Sequence, residues 1–163
     1  MNNPKMILVA TFLTLAAVGQ IVLAFILFDK DGNATVINLG WIILWISAIF
    51  GWLPIFTLKR YGGVPKGKSY IQTAVLVDRG VYAIVRHPQY LAGILLGIAL
   101  PMISQHWVVA VLGIVVIIIY LISISDEEAS SIEKFGNAYR EYMRRVPRVN
   151  FLLGIFRILV KRR

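Results

Sequence analysis

Hydrophobic and polar positions divide this 163-residue chain into long charge-free runs separated by shorter polar ones. Neither Met6–Phe28 nor Val36–Leu58 contains a charged residue, and each is 23 residues long. A helix needs roughly 20 residues to cross the hydrocarbon core of a bilayer, so spans are predicted near 6–28 and 36–58. The loop between them holds Asp31-Gly32-Asn33, a turn signal. Pro54 predicts a kink or an early end to the second span. The polar stretch Lys59–Gln89 follows, with Gly62-Gly63 and Pro65-Lys66-Gly67-Lys68 reading as loop. Tyr70, Ile71, Val75, Leu76, Val77, Val81, Tyr82 and Ile84 argue against disorder there, and part of the segment is expected to lie on the membrane surface.

Leu91–Ser125 is 35 residues without a charge, too long for one span and slightly short for two. Pro101 and Ser104-Gln105-His106 near its middle predict a hairpin of two short helices, near 88–104 and 107–125. Pro88 suits a first helical turn, where its missing N–H would be unpaired anyway. A hairpin returns the chain to its starting side, whereas a single kinked helix would leave its two ends on opposite faces. Beyond Glu128 the pattern turns amphipathic. Ile132, Phe135, Tyr139, Tyr142 and Val146 share one helical face, which Pro147 ends. Asn150–Arg163 is a second amphipathic piece, apolar from Phe151 to Ile155 and basic at its end, and reads as interfacial.

Composition agrees with lipid as the solvent. The chain is 58% hydrophobic with a mean hydropathy of +0.75, well above the apolar share of soluble domains. The expected fold is an all-α integral membrane protein: one membrane domain over 1–163, about four transmembrane helices, and amphipathic helices in the tail 126–163. The first run is too long for a signal-peptide core and lacks an A-x-A site, so a retained span is expected. Of 17 Lys and Arg, six lie in 59–90 and nine in 126–163. The positive-inside rule then places the loop 59–87, the tail and both termini in the cytoplasm. That distribution explains the net charge of +9 through orientation and anionic headgroups, so no nucleic-acid partner is implied.

Much chemistry is excluded. With no Cys there is no disulfide or thiolate chemistry. His87 and His106 are not at ligand spacing with other donors, so no metal site is expected. No GxGxxG, Walker loop or GxSxG elbow occurs. Gly93 and Gly97 form a GxxxG, a close-packing signal that leaves a homodimer open. What remains is the string RHPQYLAG, Arg86–Gly93, at one edge of the apolar region and Asp126-Glu127-Glu128 at the other. Ionisable groups at the edge of a greasy segment suggest a polar site by default.

Three elements in order carry a resemblance: LVDRGVYAIVRHPQYLAG (Leu76–Gly93), Glu127-Glu128, and FGNAYREYMRRVPR (Phe135–Arg148). Together they resemble the membrane methyltransferases of the isoprenylcysteine carboxyl methyltransferase and phospholipid methyltransferase group. The resemblance covers the C-terminal half; the first two spans match only in hydropathy. It implies S-adenosylmethionine as cofactor, bound at the cytoplasmic membrane boundary without a Rossmann domain, and a lipophilic acceptor entering from the bilayer. Cofactor contacts are then expected from Tyr82, His87, Pro88, Tyr90, Glu127, Glu128, Tyr139 and Tyr142. Arg86 and Arg145 would position the acceptor, and Glu128 would act in catalysis.

Arg86 and His87 can serve a carboxylate, and Glu127 and Glu128 an ammonium and ribose hydroxyls. The tyrosines offer rings with polar tips. A carboxylate acceptor needs no base; a lipid amine does, and Glu127, Glu128 or His87 stand near. Each residue has a plainer role open to it. Arg86 can snorkel to headgroups, the glutamates can favour a helix start, and Tyr139 and Tyr142 can simply pack. Arg144, Arg148 and the Arg157–Arg163 cluster are expected to bind headgroups or set topology. An NADPH-dependent lipid or sterol reductase and a non-catalytic membrane scaffold are the competing readings.

Overall fold

The computed structural model describes residues 4–161. The cytoplasmic placement expected for the two termini falls on Met1–Asn3 and Arg162–Arg163, which lie outside the described residues. Among the described residues the chain is all-helical, with no strand: α1 (Pro4–Ile26), α2 (Ala34–Tyr61), a 3₁₀ turn (Gly80–Ala83), α3 (Pro88–Ser104), α4 (Trp107–Phe135), α5 (Asn137–Arg145) and α6 (Phe151–Lys161). α1, α2 and α4 are long and apolar enough to cross a membrane. α3, at 17 residues, would extend about 25 Å at 1.5 Å per residue, short of a ~30 Å core. Large apolar side chains such as Phe25, Trp45 and Trp107 are exposed. So many exposed large apolar side chains mark contact with lipid or a partner.

Three boundaries differ from the sequence pattern, each for a local reason. α2 runs through Pro54 to Tyr61 rather than ending early. Proline inside a long apolar helix is tolerated where neighbouring groups re-satisfy the freed backbone, and Pro54 is fully buried. α4 continues ten residues beyond 125, through Asp126-Glu127-Glu128 to Phe135. Nothing in that stretch breaks a helix until Gly136, whose φ of 59° only glycine adopts at little cost. The amphipathic stripe expected as one helix is therefore divided, Ile132 and Phe135 on α4 and Tyr139 and Tyr142 on α5.

Residues cluster into two compact units, Met1–Ala48 with Ala92–Ser123 and Ile49–Leu91 with Ile124–Arg163. In the first, two turns are tied together. Gln105 Oε1 accepts from the Asn33 N–H at 3.0 Å, and its Nε2 donates to the Asn33 carbonyl at 2.8 Å. The Asp29 N–H donates to the Ser104 carbonyl at 3.1 Å. Asn33 Oδ1 accepts from the N–H groups of Thr35 and Val36, capping the start of α2. α3 and α4 thus form a hairpin whose turn, at Gln105 with φ 50°, lies beside the α1–α2 loop.

The same unit uses the GxxxG internally. A Cβ on Gly113 would lie 2.3 Å from the Gly97 carbonyl oxygen, and one on Gly93 would lie 2.1 Å from the Tyr120 ring. This face of α3 is covered by α4 of the same chain. Next to the crossing, Gln20 is fully buried, and its Nε2 donates to the carbonyls of Gly97 and Val109 at 3.1 and 3.2 Å. Interhelical bonds of this type contribute about 1 kcal/mol in a membrane. Gln20→Leu, which keeps the volume and removes both bonds, is expected to lower the thermal midpoint in detergent by a corresponding few degrees. An unchanged midpoint would show that the two bonds contribute nothing net.

Candidate functional site

The second unit gathers the ionisable residues. Val85 is fully buried and the chain then turns into α3 at the buried Pro88. Between them, the Arg86 N–H donates to the Pro147 carbonyl at 2.9 Å and the His87 N–H to the Arg148 carbonyl at 3.1 Å. The His87 carbonyl accepts the first helical bond of α3, from the Leu91 N–H. The Arg-His pair is therefore clasped by backbone on one side and by a helix start on the other.

Glu128 is the hub. It is 3% exposed, on α4, one helical turn before Ile132. Its Oε1 lies 2.9 Å from Arg86 Nη1 and 3.3 Å from His87 Nε2, and its Oε2 accepts from Arg148 Nη2 at 2.6 Å. The half-exposed Glu127 places Oε1 3.6 Å from His87 Nδ1. One imidazole thus stands between two carboxylates, and Glu128 faces two guanidinium groups. With His87 neutral the cluster balances, two cations against two anions.

That balance is not complete satisfaction. Arg86 is 8% exposed. Its Nη1 is close to Glu128 but out of line for a hydrogen bond, and its Nε has no acceptor among the described residues; His87 Nδ1 likewise lacks a bonded partner. Buried donors without partners are uncommon in folded proteins and each calls for an explanation.

The tyrosines surround this cluster. Tyr90 meets the His87 ring edge-on at 5.4 Å. Tyr139 and Tyr142 are buried, with ring centroids 5.7 Å apart, in a cluster with Val146 that Leu76, Ile132 and Phe135 pack against. The Tyr142 hydroxyl donates to the Tyr82 carbonyl at 2.6 Å. Burial, and then the negative charge of Glu128, push the Tyr139 phenol up to about 12, and burial raises Tyr82 and Tyr142 as well. All three are neutral donors at physiological pH.

Of the residues expected from sequence, Arg86, His87, Glu127 and Glu128 come together, with Pro88 and Tyr90 beside them and Tyr139 close by. Tyr82 and Tyr142 are bonded to each other, and Tyr142 reaches the cluster's edge through its ring contact with Tyr139. Arg145 does not join. It is exposed and pairs with Asp78 at 3.5 Å, because it points outward from the end of α5. The arginine that reaches Glu128 is Arg148, after Pro147, which sequence reasoning assigned to headgroup binding. Its only signal was its place in the V-P-R end of the third element.

Two cavities open in this unit. One, about 300 Å³, is lined by Tyr61 and Val75–Arg79. The other, about 210 Å³, is lined by Asp78, Tyr142, Arg145, Pro147 and Arg157 among others.

The family model for phospholipid methyltransferase matches residues 35–138. The match includes Arg86, His87, Glu127 and Glu128 and stops before Tyr139, Tyr142, Arg145 and Arg148. No curated protein matches the chain.

Proposed function

The chain belongs to the phospholipid methyltransferase family, and from that premise we propose that it is a membrane methyltransferase that uses S-adenosylmethionine and acts on a phospholipid amine. The observation that carries this reading is the cluster of the buried Arg86, His87 and Glu128 with the half-exposed Glu127, in which N–H groups of Arg86 lack a hydrogen-bond partner. Those groups suit the cofactor. Its carboxylate needs donors, which Arg86 retains at Nε. Its ammonium and ribose hydroxyls need acceptors, which the half-exposed Glu127 offers. When bound, the cofactor would supply an electrophilic methyl carbon with a neutral thioether as its leaving group.

The chain's own residues then orient the reactants, exclude water and handle one proton. Orientation alone can supply several kcal/mol of barrier reduction. An ammonium acceptor must lose a proton before its nitrogen can attack. His87, between two carboxylates, is the group suited to receive it. A carboxylate acceptor of the isoprenylcysteine type would need no such base. The basic loop and tail favour a site on the cytoplasmic side of the membrane.

Calorimetric titration of the detergent-solubilised protein with S-adenosylhomocysteine, with NADPH in parallel, tests the class. Binding of the adenosyl compound is expected. NADPH binding alone would replace the reading with a reductase, and binding of neither would leave a scaffold. His87→Ala is expected to weaken S-adenosylhomocysteine binding about tenfold, since a bond to a charged group contributes about 1.5 kcal/mol or more. Unchanged affinity in a folded variant would remove His87 from the site.

A further inference from the structure

A second set of charges lies in the same unit, outside the buried cluster. Asp78 and Arg145 face each other at 3.5 Å, both about half exposed. Arg157, on α6, donates from Nη1 to the Arg145 carbonyl at 3.3 Å. All three line the cavity of about 210 Å³, whose walls are otherwise largely apolar, including Val146 and Ile158. An exposed ion pair contributes little to stability, so fold stability is a weak reason for one carboxylate and two guanidinium groups to share a cleft. They are suited instead to a ligand that carries an ammonium and an oxyanion a few ångströms apart.

Two ligands have that chemistry: an aminophospholipid headgroup, and the amino-acid end of the cofactor. Size and position separate them. The cleft falls below the ~300–1,000 Å³ of pockets that enclose drug-sized ligands, so it suits a headgroup better than an adenosyl compound. α6 lines the cleft through Gly154, Arg157 and Ile158, while Leu152, Phe156 and Leu159 on the same helix are exposed. A helix with apolar side chains outward and a cation at the cleft suits the headgroup level of a bilayer. The cleft also adjoins the cluster through a few residues of chain. Arg145 and Pro147 line it, the Pro147 carbonyl holds Arg86, and Arg148 holds Glu128.

We infer that the cleft between Asp78, Arg145 and Arg157 is the headgroup site for a zwitterionic aminophospholipid, with the phosphate on the two arginines and the ammonium on Asp78. This rests on the reading of the protein as an aminophospholipid methyltransferase, and it adds where the acceptor is recognised. Capture at Asp78 is a binding event.

The test separates the inference from the reading it rests on. Glycerophosphoethanolamine, glycerol phosphate and methionine are titrated calorimetrically into the wild-type protein and into Arg157→Gln and Asp78→Asn. In parallel, methylation of phosphatidylethanolamine is followed in mixed micelles at varied lipid fraction. Arg157→Gln is expected to weaken binding of both phosphate compounds and to raise the lipid KM about tenfold, with kcat and S-adenosylhomocysteine affinity unchanged. Asp78→Asn is expected to abolish the preference for glycerophosphoethanolamine over glycerol phosphate. Wild-type protein that binds neither phosphate compound, or variants that bind them as wild type does, would overturn the inference. So would variants that lose methionine or S-adenosylhomocysteine instead, because the cleft would then hold the cofactor. Wild-type binding of glycerophosphoethanolamine, lost in the variants, without methylation of phosphatidylethanolamine would sustain the cleft and refute the reaction.

Discussion

Replacing Glu128 with Ala is expected to cost about 3–5 kcal/mol of stability and to abolish cofactor binding. The stability loss follows from what remains: Arg86, 8% exposed, would keep its charge without the carboxylate 2.9 Å away. Removing one partner of a buried pair strands the other charge, which costs far more than the pair itself contributes. Arg148 loses less, since it is half exposed and can turn to water. A double variant, Arg86→Met with Glu128→Leu, separates structure from function. Replacing both charges by apolar groups of similar volume is often neutral or stabilising, so this protein is expected to melt near the wild-type midpoint while failing to bind S-adenosylhomocysteine. Thermal unfolding in detergent and calorimetry read the two effects separately. A Glu128→Ala protein that melts with the wild type, or a double variant that binds normally, would remove Glu128 from the centre of the site.

That hub was half legible in the sequence. The charge-free runs located the long helices, since a 23-residue apolar run has few alternatives in water or lipid. His87 and Glu128 stand 41 positions apart, yet each flanks the same apolar region. Once Pro101 and Ser104-Gln105-His106 imply a hairpin, the two ends meet, and the 3.3 Å approach of His87 to Glu128 is the consequence. Arg148 was not legible. Nine cations follow residue 125, and which of them turns inward is decided by the backbone after Val146, where the Arg148 carbonyl is drawn onto the His87 N–H. The pairing of Asp78 with Arg145 was equally hidden, because both lie on segments whose course depends on tertiary contacts rather than on periodicity. The end of α4 near Glu128 was misjudged for a related reason, and of the two readings of Pro54 the early end was not met. Proline and charge are weak terminators when the rest of the segment favours helix, and α4 ends only at Gly136, whose backbone conformation other residues rarely adopt.

The close approach of α6 was also invisible to periodicity, and it carries the second large effect. A Cβ on Gly154 would lie 1.9 Å from the Ile84 carbonyl oxygen and 2.8 Å from its carbon. Both are backbone atoms, so no rotamer change relieves the clash, and α6 must withdraw by more than an ångström. Gly154→Ala is therefore expected to cost about 3 kcal/mol, the upper part of the range for overpacking. The damage is directional. Ile84 is two residues before Arg86, and Gly154 lines the cleft with Arg157. A displaced α6 should weaken binding of glycerophosphoethanolamine before it disturbs the buried cluster on α4. Gly19→Ala is the matched control. It adds the same methyl to a helix where nothing lies within 4 Å, and helix propensity predicts a gain of roughly 0.5–1 kcal/mol. If the two variants melt alike, the contact between Gly154 and Ile84 does not set the position of α6, and the cleft beside it has some other support.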